Sequence, residues 1–463
     1  MRHFLSFINL LFGLALLPLF SCQPTNSREK ISNSAFVITN VNIIDVNNGN
    51  IHQGHVVIDS TQIQEILDLE TAIDKGNGTL IDGTDKYLIP GLAEMHAHIP
   101  SLPWDDPKIA ETLFLYLSNG VTTIRGMLGH PAHLELREKA ANQEILSPRI
   151  YTSSPSINGN TVTNPEDARS QVTAYAQEGY DFLKIHPGLR LHVFDEVVKT
   201  ANEVGIPFAG HVSTMVGVRH ALESKYATID HVDSYLEGLV PEEENVNPTE
   251  NGFFGYNFTN LADTSNIPEL VEMSKANQVW VVPTQSLFDR WFSPTDPEIL
   301  AQETEMSYIS PETLDNWIQS KKNLISDPNY DSATWVKFNE IRSQLIKALH
   351  DEGQGLLLGS DAPQVFNVPG FSIHHELKGM INAGLSPLEA IQIGTINPAR
   401  FFEGSFGEIK AGLDADLILL ERNPLDNIEN LKNPIGVMAR GQWMDRNMID
   451  KKLKEIAKVY STN

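Results

Sequence analysis

From Ala35 onward, apolar and polar positions alternate in short pieces, Phe36–Ile38, Val41–Asp45, His55–Ile58 and Gln62–Leu67, separated by turn residues such as Asn48-Gly49. Side chains of an extended chain point to opposite faces in turn, so this period of two predicts strands of a half-buried sheet. The same pattern returns far away at Ala415–Leu420 and Ile435–Arg440. Both ends are therefore expected to pair into one small β-sandwich domain, residues 35–88 with 405–445. Between them, short apolar runs alternate with helical stretches, as in βαβ units of a parallel sheet. The runs are Tyr87–Leu92, Gly120–Arg125, Arg149–Ser153, Phe182–Ile185, Pro207–Gly210, Thr228–Ile229, Val279–Val282 and Gly355–Leu358. Eight such runs predict an α/β fold with a (β/α)8 TIM barrel over 89–404, followed by a C-terminal tail at 446–463.

The extreme N-terminus breaks both patterns. Met1-Arg2-His3 is followed by a nearly continuous apolar run from Phe4 to Phe20, which closes in Leu19-Phe20-Ser21-Cys22. This resembles a bacterial lipoprotein signal, 1–21, with Cys22 as the lipidated first mature residue and 22–34 as a polar tether. The resemblance implies export and a lipid anchor in the cell envelope, at the periplasm or outer membrane; an N-terminal transmembrane anchor is the alternative. Cys22 is the only cysteine. Any metal site in the remainder must therefore use nitrogen and oxygen ligands. With 41% hydrophobic residues and a formal net charge of -25, the chain can fill a large core and is a poor partner for nucleic acid or an anionic membrane surface.

In a TIM barrel the chemistry lies at the C-terminal ends of the strands. The residues at or just beyond those ends are His96, His98, Arg125, Ser153, Lys184, His211, His231, Thr284 and Asp361. His96 and His98, two apart on an extended backbone, can offer two imidazoles to one metal ion. Four imidazoles, a lysine and a carboxylate thus converge on one mouth. Their order, with Pro90-Gly91-Leu92, Gly120-Val121-Thr122-Thr123, Gly359-Ser360-Asp361, Thr395 to Arg400 and Gly407 to Leu417, resembles the amidohydrolase superfamily from about Phe36 to Trp443. The spacing is most similar to its imidazolonepropionase-like and Xaa-Pro dipeptidase-like branch.

That resemblance implies two divalent metal ions, zinc being the best fit to the ligand types. His96, His98 and Asp361 would hold one ion, His211 and His231 the other, and Lys184, carboxylated by carbon dioxide, would bridge them. A mononuclear site is the alternative. It also implies that Asp361 shuttles a proton and that Tyr235 binds the substrate carbonyl. Gly126 stands where relatives carry an aspartate. His130, His133, His186, His374 and His375 could contact substrate, but as scattered loop histidines they read first as solvated. The implied reaction is hydrolysis of an amide or cyclic amide C–N bond, extending to a dipeptidase for Xaa-Pro or N-acyl amino acids. Deaminase or lactonase chemistry on the same scaffold, or solute binding by a lipoprotein without turnover, remain open. The long stretches Leu236–Pro268 and Leu287–His350, the second containing Trp291, Trp317, Tyr330 and Trp335, are candidates to roof the mouth.

Overall fold

The computed structural model describes residues 29–30, 35–74 and 78–461. The signal-like run, Cys22 and nearly all of the tether lie outside the described residues. In chain order the small sheet begins with β1 (Phe36–Ile44), β2 (Ile51–Asp59), β3 (Gln62–Asp68), β4 (Thr79–Asp82) and β5 (Tyr87–Pro90). The parallel sheet follows with β6 (Leu92–Ala97), β7 (Val121–Gly126), β8 (Arg149–Ile157), β9 (Phe182–Ile185), β10 (Phe208–Gly210), β11 (Thr228–Asp230) and β12 (Trp280–Val282). The chain then returns to the small sheet through β13 (Leu417–Leu420), β14 (Gly436–Ala439) and β15 (Gln442–Asp445).

The two chain ends pair directly, β13 running antiparallel to β5 with Ile418 opposite Ile89. Their strands form one eight-stranded sheet, ordered β15-β14-β13-β5-β1-β2-β3, with β4 alongside β1. Apolar side chains from six of these strands, among them Ile38, Val56, Ile63, Leu88, Leu417 and Met438, meet in one cluster. A single sheet can gather its own face this way only by curling, so the β-rich unit is one curled sheet where two facing sheets were expected.

The expected first barrel strand, Tyr87–Leu92, is split between the two sheets. A Cβ on Gly91 would lie 2.1 Å from Thr122 Oγ1, so only glycine lets the chain step from β5 into β6 here. The parallel sheet runs β6 through β12 in chain order. It has seven strands, and the expected eighth, Gly355–Leu358, is not a regular strand. The chain from Gly355 to Ala362 instead makes two isolated parallel bridges, Leu356 to Val281 on β12 and Ala362 to Ala97 on β6, and so nearly closes the ring. Left-handed backbone at Gly355 (φ 130°) and Asp361 (φ 63°) interrupts the regular ladder.

Outer helices cover the ring. One of them corrects an expectation: Ser332–Glu352 buries Phe338, Ile341, Leu345, Ile346 and Leu349 in the main core, so this half of the second long stretch is scaffold. The expected C-terminal tail is likewise ordered. Arg446–Ser461 is a helix whose Ile449 and Ile456 are buried in a cluster with Phe114, Leu115 and Leu117 of the helix Pro107–Ser118.

Candidate metal centre

His96 is the penultimate residue of the wholly buried strand β6, and His98 follows one residue beyond its end at Ala97. Their rings lie 5.4 Å apart. Asp361 closes the group, with its Oδ1 2.6 Å from His98 Nε2 and 3.4 Å from His96 Nε2. Each of the three offers a ligand atom within 4.8 Å of the others. The backbone clamps this arrangement, since Asp361 N donates to His96 O (2.9 Å) and His98 N donates to Ala362 O (2.8 Å). The left-handed φ of Asp361 is held by those bonds, the kind of local strain that collects at functional sites.

His211, just past β10, and His231, just past β11, form the other side. Their rings are 4.5 Å apart, and His231 lies 4.6 Å from His96. His231 Nδ1 sits 2.8 Å from Thr284 Oγ1, which leaves its buried Nε2 without a partner. His211 Nδ1 rests 3.0 Å from Asp233 Oδ2. Burial lowers the basicity of all three enclosed imidazoles, holding His96 and His231 well below the usual histidine range and His211 at about 3, where the nearby Lys184 charge adds to the effect. Neutral imidazoles keep a lone pair for a cation at neutral pH. The orphaned Nε2 of His231, surrounded by nitrogen and oxygen donors, fits a divalent metal.

Lys184, on β9, is fully buried. Its Nζ is 3.4 Å from His96 Nε2, and among the described residues no carboxylate comes within ion-pair distance of it. A buried ammonium without an ion pair is costly, and burial brings this amine down to about 8 despite the favourable charges of Asp230 and Asp361. Gly210 makes room for it. At φ 124°, a Cβ there would meet Ile185 O at 2.4 Å and Lys184 Cδ at 3.1 Å.

Further residues support the ligands; of these, Arg125 and Thr284 stood among the strand-end positions read from the sequence, whereas Asp230, Asp233 and Arg342 did not. Asp230 ends β11 with one oxygen 2.9 Å from His96 Nδ1 and the other 3.1 Å from Arg125 Nη2, and both Arg125 and Asp230 are wholly buried. Arg125 also donates to Thr228 Oγ1 and Met95 O, fixing the carboxylate below His96. Asp233 and Thr284 orient His211 and His231 in the same manner. Arg342 donates to the carbonyl of His231 at 2.7 Å, supporting a residue whose φ is 67°. The available sequence signals were the acidic residue immediately before His231 and the charged Arg125 at a strand end.

Tyr235 is not at the centre. Left-handed backbone at His231, Val232 and Ser234 turns the chain outward, so the Tyr235 side chain is fully buried in the main core with its hydroxyl 2.7 Å from Ser274 Oγ. The expected carbonyl contact is therefore corrected. His186 departs from expectation in the other direction, with its ring 5.1 Å from His211. The remaining loop histidines are tied elsewhere: His133 to Pro100 O, His374 to Asn119 and His375 to Glu305, while His130 caps the helix Pro131–Ala141. Part of the expected roof is present. Phe254, at φ 50°, lies 5.4 Å from the His231 ring and 5.8 Å from His211, backed by Phe253 and Phe288. Trp317 packs instead against Phe366.

A parallel, nearly closed sheet that gathers four imidazoles, a buried amine and a carboxylate at the C-terminal ends of its strands defines a class of hydrolytic, metal-binding enzyme. Within that class the chain belongs to the amidohydrolase family, whose model matches residues 87–444. Solved structures show the same fold. A bottromycin amidohydrolase is 20% identical with a TM-score of 0.69, over 94% of this chain and 92% of that one. A Xaa-Pro dipeptidase with bound methionine is 20% identical with a TM-score of 0.61, over 89% of this chain and 100% of that one. A prolidase complexed with N-methylphosphonate-L-proline is 19% identical with a TM-score of 0.63, over 89% and 100%. The chain is thus a hydrolytic enzyme acting on small molecules, and a solute-binding protein without turnover is set aside.

Proposed function

We propose that the protein hydrolyses the amide or cyclic amide C–N bond of a small molecule, with Xaa-Pro dipeptides or N-acyl amino acids as the substrate class. His96, His98 and Asp361 would hold one divalent ion and His211 and His231 a second, zinc foremost, with a carbamate on Lys184 between them. The observation that carries this reading is the buried Lys184 amine, set against His96 and without a carboxylate partner. With its basicity lowered to about 8, a useful fraction is neutral at physiological pH, and only the neutral amine can add to carbon dioxide, releasing one proton as the N–C bond forms.

When bound, such ions lower the pKa of a coordinated water towards neutrality and polarise a carbonyl. Asp361 then has the position of the proton carrier, accepting a proton from the attacking water and returning it to the leaving nitrogen. Asp230, Asp233 and Thr284 hold the imidazoles in orientation while this occurs. Phe254 and the aromatic rings behind it provide an apolar cover that excludes bulk water from the reacting group. The Xaa-Pro dipeptidase and the prolidase that share this fold support the choice of dipeptides.

Elemental analysis of the folded protein should find close to two divalent ions per chain. A panel of Xaa-Pro dipeptides, N-acyl amino acids, cyclic amides, lactones and aminopurine-type deamination substrates should give turnover with the amides. Turnover confined to lactones or to deamination would replace the reaction assigned here, and one ion per chain would replace the binuclear site.

Export with lipidation at Cys22 is part of the same proposal, resting on the apolar run that ends in Leu19-Phe20-Ser21-Cys22. Mass spectrometry of the membrane fraction should detect a diacylglyceryl group on Cys22. A mature cytosolic protein that retains Met1 would refute it.

A further inference from the structure

With Tyr235 turned into the core, the carbonyl contact expected of it has no donor, and the histidine beside the centre that no ligand set uses is His186. Three observations define its state. Its Nδ1 is 2.6 Å from Ser156 Oγ on β8, and the same oxygen accepts a bond from Asn158 Nδ2 at 2.8 Å. A serine hydroxyl carries one proton and two lone pairs, and the Asn158 bond engages one of those lone pairs, so the proton and the other lone pair face the imidazole and the separation decides between them. A separation of 2.6 Å suits an O–H donor and is short for an N–H donor. Ser156 therefore donates to Nδ1, which places the ring proton on Nε2. Nε2 has no hydrogen-bond partner among the described residues, and the half-buried ring lies 5.1 Å from His211, tilted by 31°.

We infer that His186 is a catalytic residue whose Nε2–H donates a hydrogen bond to the substrate's carbonyl oxygen, more strongly as that oxygen gains charge in the tetrahedral state. The inference rests on the proposed amide hydrolysis, and it adds a neutral donor fixed by Ser156 and Asn158 before substrate arrives. Preorganisation of this kind is what makes a donor effective at a developing oxyanion. Only hydrogen bonding is involved, so His186 gains and loses no proton in the cycle.

The test compares the full-length wild-type protein with His186→Ala, His186→Gln and Ser156→Ala, each checked for metal content and thermal unfolding. On an amide that the wild type turns over, His186→Ala should lower kcat about 100-fold, as removal of one oxyanion donor does, with KM changed by less than about threefold. Glutamine can place an N–H near the position of Nε2, so His186→Gln should recover part of that loss. Ser156→Ala, which frees the ring and its tautomer, should give an intermediate kcat. Binding of N-methylphosphonate-L-proline, a tetrahedral probe, should weaken in His186→Ala far more than binding of free proline. Unchanged kcat and probe affinity in metal-loaded His186→Ala would overturn the inference. Loss of a metal ion in that variant would also overturn it, making His186 a ligand. If the wild type holds its metal and hydrolyses no amide, the substrate reading fails, while the phosphonate comparison still decides the role of His186.

Discussion

Asp361→Asn is expected to lower kcat and kcat/KM together by about two orders of magnitude or more, with both metal ions retained. Asp361 Oδ1 lies 2.6 Å from His98 Nε2 and 3.4 Å from His96 Nε2, at the meeting point of the first ligand group. Asparagine has nearly the same shape and keeps an oxygen for coordination, but it cannot take up the proton that water must lose. A group that acts mainly in the transition state changes kcat more than KM, so an equal fall in kcat and kcat/KM is the diagnostic outcome. Pre-steady-state kinetics and elemental analysis on the same preparation separate loss of proton transfer from loss of metal. A fully metallated variant with near-normal kcat would mean that another group carries the proton.

Lys184→Ala is expected to remove at least one ion per chain and to reduce activity by more than about 100-fold, since loss of a shared ligand exceeds the usual cost of losing an outer-shell partner. Truncation empties a fully buried site beside His96, so small carboxylates such as acetate or propionate should restore part of both metal binding and turnover. Lys184→Arg, always charged and unable to form the carbamate, should show no such rescue. The pH dependence of loading follows from the lowered basicity of the amine. With a value of about 8, Lys184 in the metal-free protein is mainly an ammonium below that pH and mainly a free amine above it. At fixed dissolved carbon dioxide, metal uptake should therefore rise about tenfold between about pH 7 and about pH 9, as the neutral fraction does. Equal metal content in wild type and Lys184→Ala, with bicarbonate supplied, would remove the bridging carbamate from the mechanism.

Much of the centre was legible because it depends on local periodicity. His96 and His98 face the same way for the reason any residues i and i+2 do on an extended chain, and their rings indeed lie 5.4 Å apart. Lys184, His211, His231 and Asp361 could be located because apolar runs mark strands, and the polar residues ending successive parallel strands must share one edge of the sheet. The pairing of the distant chain ends was legible for a similar reason, since half-buried strands such as β1 and β13 each need a partner to cover one face.

Other features depended on contacts between segments far apart in sequence. Nothing local states that His231, Val232 and Ser234 adopt positive φ, because these residue types rarely do; the conformation is imposed by bonds such as Arg342 to the carbonyl of His231, and it sends Tyr235 into the core. The same holds for His186, read in sequence as a loop histidine and fixed at the mouth by Ser156 and the Ile157 carbonyl on the neighbouring strand. The eighth position of the ring, irregular around Gly355 and Asp361, is likewise held by bridges to β12 and β6 rather than by its own pattern. Sequence periodicity thus determined which face of its own element each residue occupies. The tertiary structure decided where a side chain points once the backbone leaves that element, because there the direction is set by hydrogen bonds to partners that no local pattern encodes.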